Sequence, residues 1–271
     1  MNPHLARRAS AGLVILGLVA CRDLLDVHDR PLLIAEEGGA PDGGERDSAP
    51  LPPSFCTTLS PPAQHCSDFD RGDFLEGWRG QGEVPYPGLN GGASLDVVAD
   101  GAGRKLLAKT PTLVTPSTNA QATMIFDVPV RSERLSVHAK INVRSETIPA
   151  GQNVILLSAA FGTAGGIVIY RDAEGGVVAV VPKGKAARYP SWAVGTTHTV
   201  GFALSLVAGA TFVQGVIDST LGPELDVPAS YATSGPPRIV LGPAVVAPMG
   251  AFEVTLDDVA MYWGDGQGPP P

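Results

Sequence analysis

The sequence predicts an all-β domain, a sandwich of two antiparallel sheets, and three observations carry that expectation. The chain of 271 residues holds 33 Gly and 25 Pro but only 17% charged residues, a balance of many turns and few solvated helical faces. From Ala93 onward it reads as short β-like runs punctuated by turn signals. No stretch keeps a helical apolar period.

The runs follow in order. They are "SLDVVAD" (94–100), "RKLLAKT" (104–110), "ATMIFDVPV" (122–130), "RLSVHAKINV" (134–143), "NVILLSAAFG" (153–162) and "GIVIYRD" (166–172). Then come "VVAVVP" (177–182), "HTVGFALSLV" (198–207), "TFVQGVID" (211–218), "PRIVLG" (237–242) and "AFEVTLDDVAMYW" (251–263). In "RLSVHAKINV" the residues Leu135, Val137, Ala139 and Ile141 alternate with polar neighbours, so one face is buried and the other wet. "RDAEGGVV" (171–178) and "SLVAGATF" (205–212) each join two such runs through a turn and predict hairpins.

The N-terminus precedes any fold. Arg7 and Arg8 lead an apolar run, Ala11 to Ala20, that ends on Cys21. About ten residues are too few to cross a ~30 Å hydrocarbon core, so residues 1–20 read as an export signal. Leu18-Val19-Ala20-Cys21 resembles the bacterial lipobox, which implies that Cys21 is diacylated and anchors the chain to a membrane. Arg22, in place of Asp, after the cysteine implies the outer membrane or cell surface of a bacterial envelope. Residues 21–53 are rich in Asp, Glu, Gly and Pro without aromatics, and are expected to form a flexible acidic tether. The folded domain is expected over 54–264, followed by a disordered Gly/Pro tail, 265–271.

Two cysteines remain, Cys56 and Cys66. Outside the cytoplasm, with no thiol left over, they are expected to pair as a structural disulfide. A zinc site would need two more close ligands, and only His65 is adjacent. The formal charge of −8, or −10 once the two arginines of the signal are removed, excludes the basic surface that a nucleic-acid partner needs.

Three segments resemble the concanavalin A-like lectin and glucanase jelly rolls, in particular their laminin-G-like branch. "CSDFDRGDFLEGW" looks like the opening strand, "WAVGTTHTVGFALSLVAGATFVQGVID" like the paired strands that carry Trp192, His198 and Asp218, and "FEVTLDDVAMYW" like the closing strand. The resemblance implies a jelly roll in which the first and last strands lie side by side. Hydrolases of this superfamily carry Glu-x-Asp-x-x-Glu on one strand, where alternation sets two carboxylates on one face. Glu224-Leu225-Asp226 begins that pattern, but Ala229 stands where the last acid belongs. A non-catalytic binding module for glycans is therefore expected. A diverged hydrolase or lyase, or an adhesive protein whose partner is another envelope protein, are the alternatives.

Two sets of residues could serve such a module. If the ends of the domain pair, Asp68, Asp70 and Asp257, with Asp73 and Asp258 nearby, offer hard oxygen donors to a structural calcium ion. Asp257 and Asp258 are consecutive, so alternation would send them to opposite faces. For sugar stacking the candidates are Tyr170, Tyr189 and Trp192, with Trp78 and Tyr86 beside them; Tyr189 and Trp192 stand in "ARYPSW", where a Pro-containing loop could expose both rings. The competing expectation is that Trp78, Trp192 and Trp263 pack the core.

Overall fold

The computed structural model describes residues 54–70, 78, 87–101, 103–174, 177–181, 185–189 and 192–264. The signal, tether and lipidation expectations, with Arg71, Gly72, Asp73, Tyr86 and the tail 265–271, lie outside these residues.

Two antiparallel sheets face each other. The larger runs β13 (Thr220–Leu221), β12 (Ala210–Ile217), β11 (Thr197–Val207), β6 (Arg134–Glu146), β16 (Phe252–Trp263), β4 (Gly103–Thr110) and β3 (Ser94–Asp100). Short β1 (His65–Ser67) also pairs with β16, and β14 (Leu225–Asp226) with β12. The smaller runs β10 (Lys185–Arg188), β9 (Val177–Val181), β8 (Gly166–Asp172), β7 (Asn153–Ala160), β15 (Arg238–Val246), β5 (Asn119–Asp127) and β2 (Pro87–Asn90). Two one-turn helices, α1 (Phe55–Thr58) and α2 (Ser230–Thr233), decorate the sandwich. The predicted all-β, two-sheet jelly roll is the architecture found.

The core lies between the sheets and follows from alternation. Along β6 the residues Leu135, Val137, Ala139, Ile141 and Val143 are buried inward, while Arg134, Lys140 and Arg144 are exposed. The smaller sheet answers with Ala122, Met124, Leu157, Ile167 and Leu241. Ion pairs cover the outer face of the larger sheet, including Lys140 with Asp258 and Lys109 with Glu253 at 3.4 Å. Such exposed pairs contribute little stability and mark a solvated wall. Gly201 of β11 has a steric reason: a Cβ there would sit 2.3 Å from the Val137 carbonyl oxygen, beside His138.

Both predicted hairpins form, with Tyr170 opposite Val178 and Val207 opposite Ala210. First and last strands do pair, through Cys66 opposite Ala260. The opening strand, however, is His65–Ser67 and not Asp-Phe-Asp. Asp68 and Asp70 follow it in a bend, with Phe69 in the left-handed region (φ 56°), where a pleated strand cannot continue. Phe69 is nevertheless buried, as is Trp78, whose indole N–H donates to Ser67 Oγ at 2.8 Å.

Cys56 and Cys66 are bonded, tying α1 to β1. The tie holds the Phe55 ring 6.5 Å from His138, on the outer face of the larger sheet. Closing a loop with a sequence separation of 10 is worth about 2–3 kcal/mol. Replacing both cysteines by serine should cost that much in urea titrations under oxidising conditions. Equal midpoints for the two proteins would refute the assignment.

Candidate functional site

The unusual surface is the outer face of the smaller sheet. Its neighbouring strands β15 and β5, between central β7 and edge β2, are each buried at seven consecutive positions, so that both of their faces are covered. On β5 the inward residues Ala120, Ala122, Met124 and Phe126 alternate with Gln121, Thr123 and Ile125, which point outward yet are also buried. Ser158 on β7 and Val240 on β15 sit likewise.

Register brings the outward side chains into rows. One row runs from Arg188 and Tyr170 through Ile155 and Ala244 to Gln121 and Asn90, crossing every strand of the sheet. At ~4.8 Å per strand, the four steps from Tyr170 to Asn90 cover about 19 Å. Tyr170 is half-buried, and Asp172 follows it on the same face, ion-paired with Arg188. Burial raises the Tyr170 hydroxyl above its usual range and the Asp172 charge adds to this, while Arg188 opposes it. A second pair closes the far end, where Arg238 grips Asp127 with Nε at 2.7 Å from Oδ1. The middle of the face, with Gln121, Thr123 and Ser158, is buried, and the exposed polar groups of the row, Arg188 and Asn90, lie at the two edges.

Among the described residues, only Tyr170 of the predicted stacking residues reaches this face. Tyr189 and Trp192 are each 6% exposed and belong to the core, so the loop does not present their rings. Tyr189 lies against Gly215 of β12 and Gly222 just after β13, where side chains would strike its hydroxyl at 2.4 and 1.8 Å. Trp78 is wholly buried, and Trp263 packs partly buried against the same core, 5.6 Å from Phe126.

Trp192 instead anchors a network that sequence reading missed. Arg171, 2% exposed, points inward with Ile167 and Ile169; it forms a two-nitrogen pair with Glu146 and donates to the Trp192 carbonyl at 3.2 Å. Its guanidinium stands 5.4 Å from the Trp192 ring, which stacks in turn on His198 at 5.0 Å. His198 Nδ1 meets Asp218, and its Nε2 meets the Thr196 hydroxyl at 2.7 Å. The row resembles hydroxyl, base and acid, but the Thr196 hydroxyl proton is committed to the Ala193 carbonyl at 2.6 Å. It locks a turn and offers no nucleophile.

The calcium candidates are partly brought together. Asp70 accepts from the Arg104 N–H at 2.6 Å and its charge is felt by Asp257. Burial, with the charges of Asp258 and Asp70 behind it, raises Asp257 to about 7. Asp68 instead accepts from the Ser54 hydroxyl. A bulge with Asp258 in the left-handed region (φ 47°) breaks the expected alternation, so Asp258 pairs with Lys140 beside Asp257. Among the described residues, no three carboxylate, histidine or cysteine side chains converge as a metal-ligating group.

No family model and no curated protein matches the chain. Solved structures do match in fold. An endo-β-1,4-glucuronan lyase from the fungus Trichoderma reesei aligns with TM-score 0.54 and 11% identity, over 74% of this chain and 95% of its own. The cellulose-induced protein Cip1 aligns with TM-score 0.52 and 14% identity, over 75% of this chain and 100% of its own. The shared architecture is the concanavalin A-like jelly roll, and at these identities the likeness concerns the fold alone.

Proposed function

We propose that this chain is an exported, lipid-anchored envelope protein whose jelly roll binds glycans without cleaving them. The observation that carries the reading is the register row on the outer face of the smaller sheet. There a half-buried tyrosine ring, a paired arginine and the exposed Asn90 amide lie along one line, with Gln121 buried between them. A ring face with flanking hydrogen-bonding groups suits the apolar and polar sides of a sugar. The glucuronan lyase that shares the fold suggests a lyase as the rival. Abstracting a proton beside a carboxylate needs a ready base. Among the described residues this face carries no histidine, and its tyrosine holds its proton above the usual range. Lipid anchoring rests on Cys21 and the lipobox resemblance alone. Loss of metabolic fatty-acid labelling in Cys21→Ala is the expected result, and persistent labelling would remove that part of the proposal.

The binding test is an array of neutral and acidic polysaccharides, read with and without Ca²⁺. Binding is expected, weakened about tenfold by Tyr170→Ala, consistent with ~1.4 kcal/mol for one stacking ring. Silence across the array would sink the glycan reading. Release of unsaturated sugar products would replace it with the lyase.

A further inference from the structure

Four chain crossings between the sheets gather at one end of the sandwich: β2 to β3, β4 to β5, β6 to β7 and β15 to β16. Between the first two lies a groove of about 480 Å³, formed by the turn at Gly91 and the loop 112–119. It is shallow and open to solvent, with Thr112, Val114, Thr115 and Ser117 exposed. Among the described residues its lining joins the apolar Leu113 and Val114 to Thr112, Thr115, Ser117, Thr118 and Asn119, which bring hydroxyls and an amide, and includes no ionisable side chain. Val114 is 78% exposed at its edge, the most exposed large apolar side chain among the described residues.

The groove is built and held. Leu113 and Met249 exchange two backbone hydrogen bonds, at 2.8 and 2.9 Å, and the Ala247 N–H donates to the Thr118 carbonyl at 2.9 Å. The Thr118 hydroxyl donates to the Thr115 carbonyl at 2.7 Å, closing the turn. Ser117 stands in the left-handed region at φ 65°, a strained conformation for a residue with a side chain. Gly91 brings backbone against backbone: a Cβ there would lie 2.3 Å from the Asn119 carbonyl oxygen. A floor so fixed loses little freedom when a ligand arrives.

Position gives the groove its meaning. Asn119 begins β5 two residues before Gln121, on the same outward face. Asn90, which ends the row across the sheet, immediately precedes Gly91. The groove therefore lies beside the Asn90 end of the row, at the ends of β2 and β5.

We propose that this groove is a terminal subsite for an uncharged sugar residue of the glycan that the outer face binds. This rests on the glycan-binding reading and adds both place and ligand class. Hydroxyls exchange donors and acceptors with sugar hydroxyls, whereas a uronate carboxylate would be desolvated here without a countercharge. The exposed Val114 side chain supplies an apolar contact for the sugar's C–H face.

The test uses the full chain titrated with cellohexaose, mannohexaose and an oligoglucuronate. Neutral hexasaccharides should bind more tightly than the acidic one and should shift the amide resonances of 112–119. The double variant Thr112→Val/Thr115→Val, which removes two exposed hydroxyls at nearly constant shape, should weaken neutral binding about tenfold with an unchanged Tm, consistent with ~0.5–1.5 kcal/mol per hydrogen bond. Should that variant bind normally while Tyr170→Ala does not, the groove is not a subsite but the outer-face reading survives. Preference for the oligoglucuronate overturns the neutral class. Should no oligosaccharide bind wild type, both inferences fall. If the double variant misfolds, the wild-type amide shifts decide alone: shifts confined to β7 and β8 refute the groove.

Discussion

Glu146→Gln is expected to destabilise the domain by about 3 kcal/mol or more, although Glu146 touches no part of the proposed glycan face. Arg171 is 2% exposed, so losing the Glu146 carboxylate removes the charge that its two nitrogens pair with inside the core. The Trp192 carbonyl and ring remain and hold the cost near the lower end of the ~3–5 kcal/mol typical of broken buried pairs. Removing both charges, as Arg171→Met with Glu146→Gln, should recover much of the loss, because no stranded charge is left. Urea titrations of the four proteins give the coupling directly. A Glu146→Gln penalty under 1 kcal/mol, against the ~3–5 kcal/mol expected, would show that the guanidinium is not desolvated.

Stability between pH 4 and 7 should hide two opposed slopes. His65 is stacked on Phe126 at 4.3 Å, and burial lowers it from 6.5 to about 4. The unfolded chain therefore binds more protons than the native one in that window, and stability falls as pH drops from 6.5 to 4. Asp257 moves the other way, from 3.8 to about 7, so the native state holds the extra proton. Its contribution is lost as pH rises from 4 to 7. His138, lowered by burial, adds to the His65 side. Wild type should consequently show only a shallow rise across the window.

The variants should separate the two. His65→Phe keeps an aromatic ring between Phe126 and Trp78 and gives up an Nε2 with no hydrogen-bond partner. Its stability should exceed that of wild type by about 2–3 kcal/mol at pH 4, and decline towards pH 7. Asp257→Asn should do the reverse, rising with pH and exceeding wild type above pH 7. Partial exposure of Asp257 screens that gain to about 1–2 kcal/mol. Parallel pH profiles for all three proteins would refute both assignments.

The long strands were legible because their information is local. "SLDVVAD", "GIVIYRD" and "AFEVTLDDVAMYW" are rich in β-branched and other apolar residues, and each is a strand within a residue of its expected bounds. The short strands β2, β10, β13 and β14 carry little pattern of their own and exist because an edge was there to pair with. Arg171 was legible in principle, since strand parity already placed it on the face of Ile167 and Ile169. Glu146, which neutralises it, was not, because the two lie 25 residues apart.

By itself, then, the sequence determined the all-β class, the long strands and the hairpins, which follow from alternation and turn chemistry, while the pairing of the domain's first and last strands was implied by the family resemblance. The tertiary structure alone decided which aromatics are available. "ARYPSW" looks like an exposed loop, yet the Tyr189 ring packs against Gly215 and Gly222 and the Trp192 ring against the buried guanidinium of Arg171, so both lie inward. It also decided that hydroxyls from the 112–119 loop meet the end of the Tyr170 row. Such meetings depend on which strands neighbour one another, and neighbourhood in a jelly roll is set by packing between residues far apart in the chain.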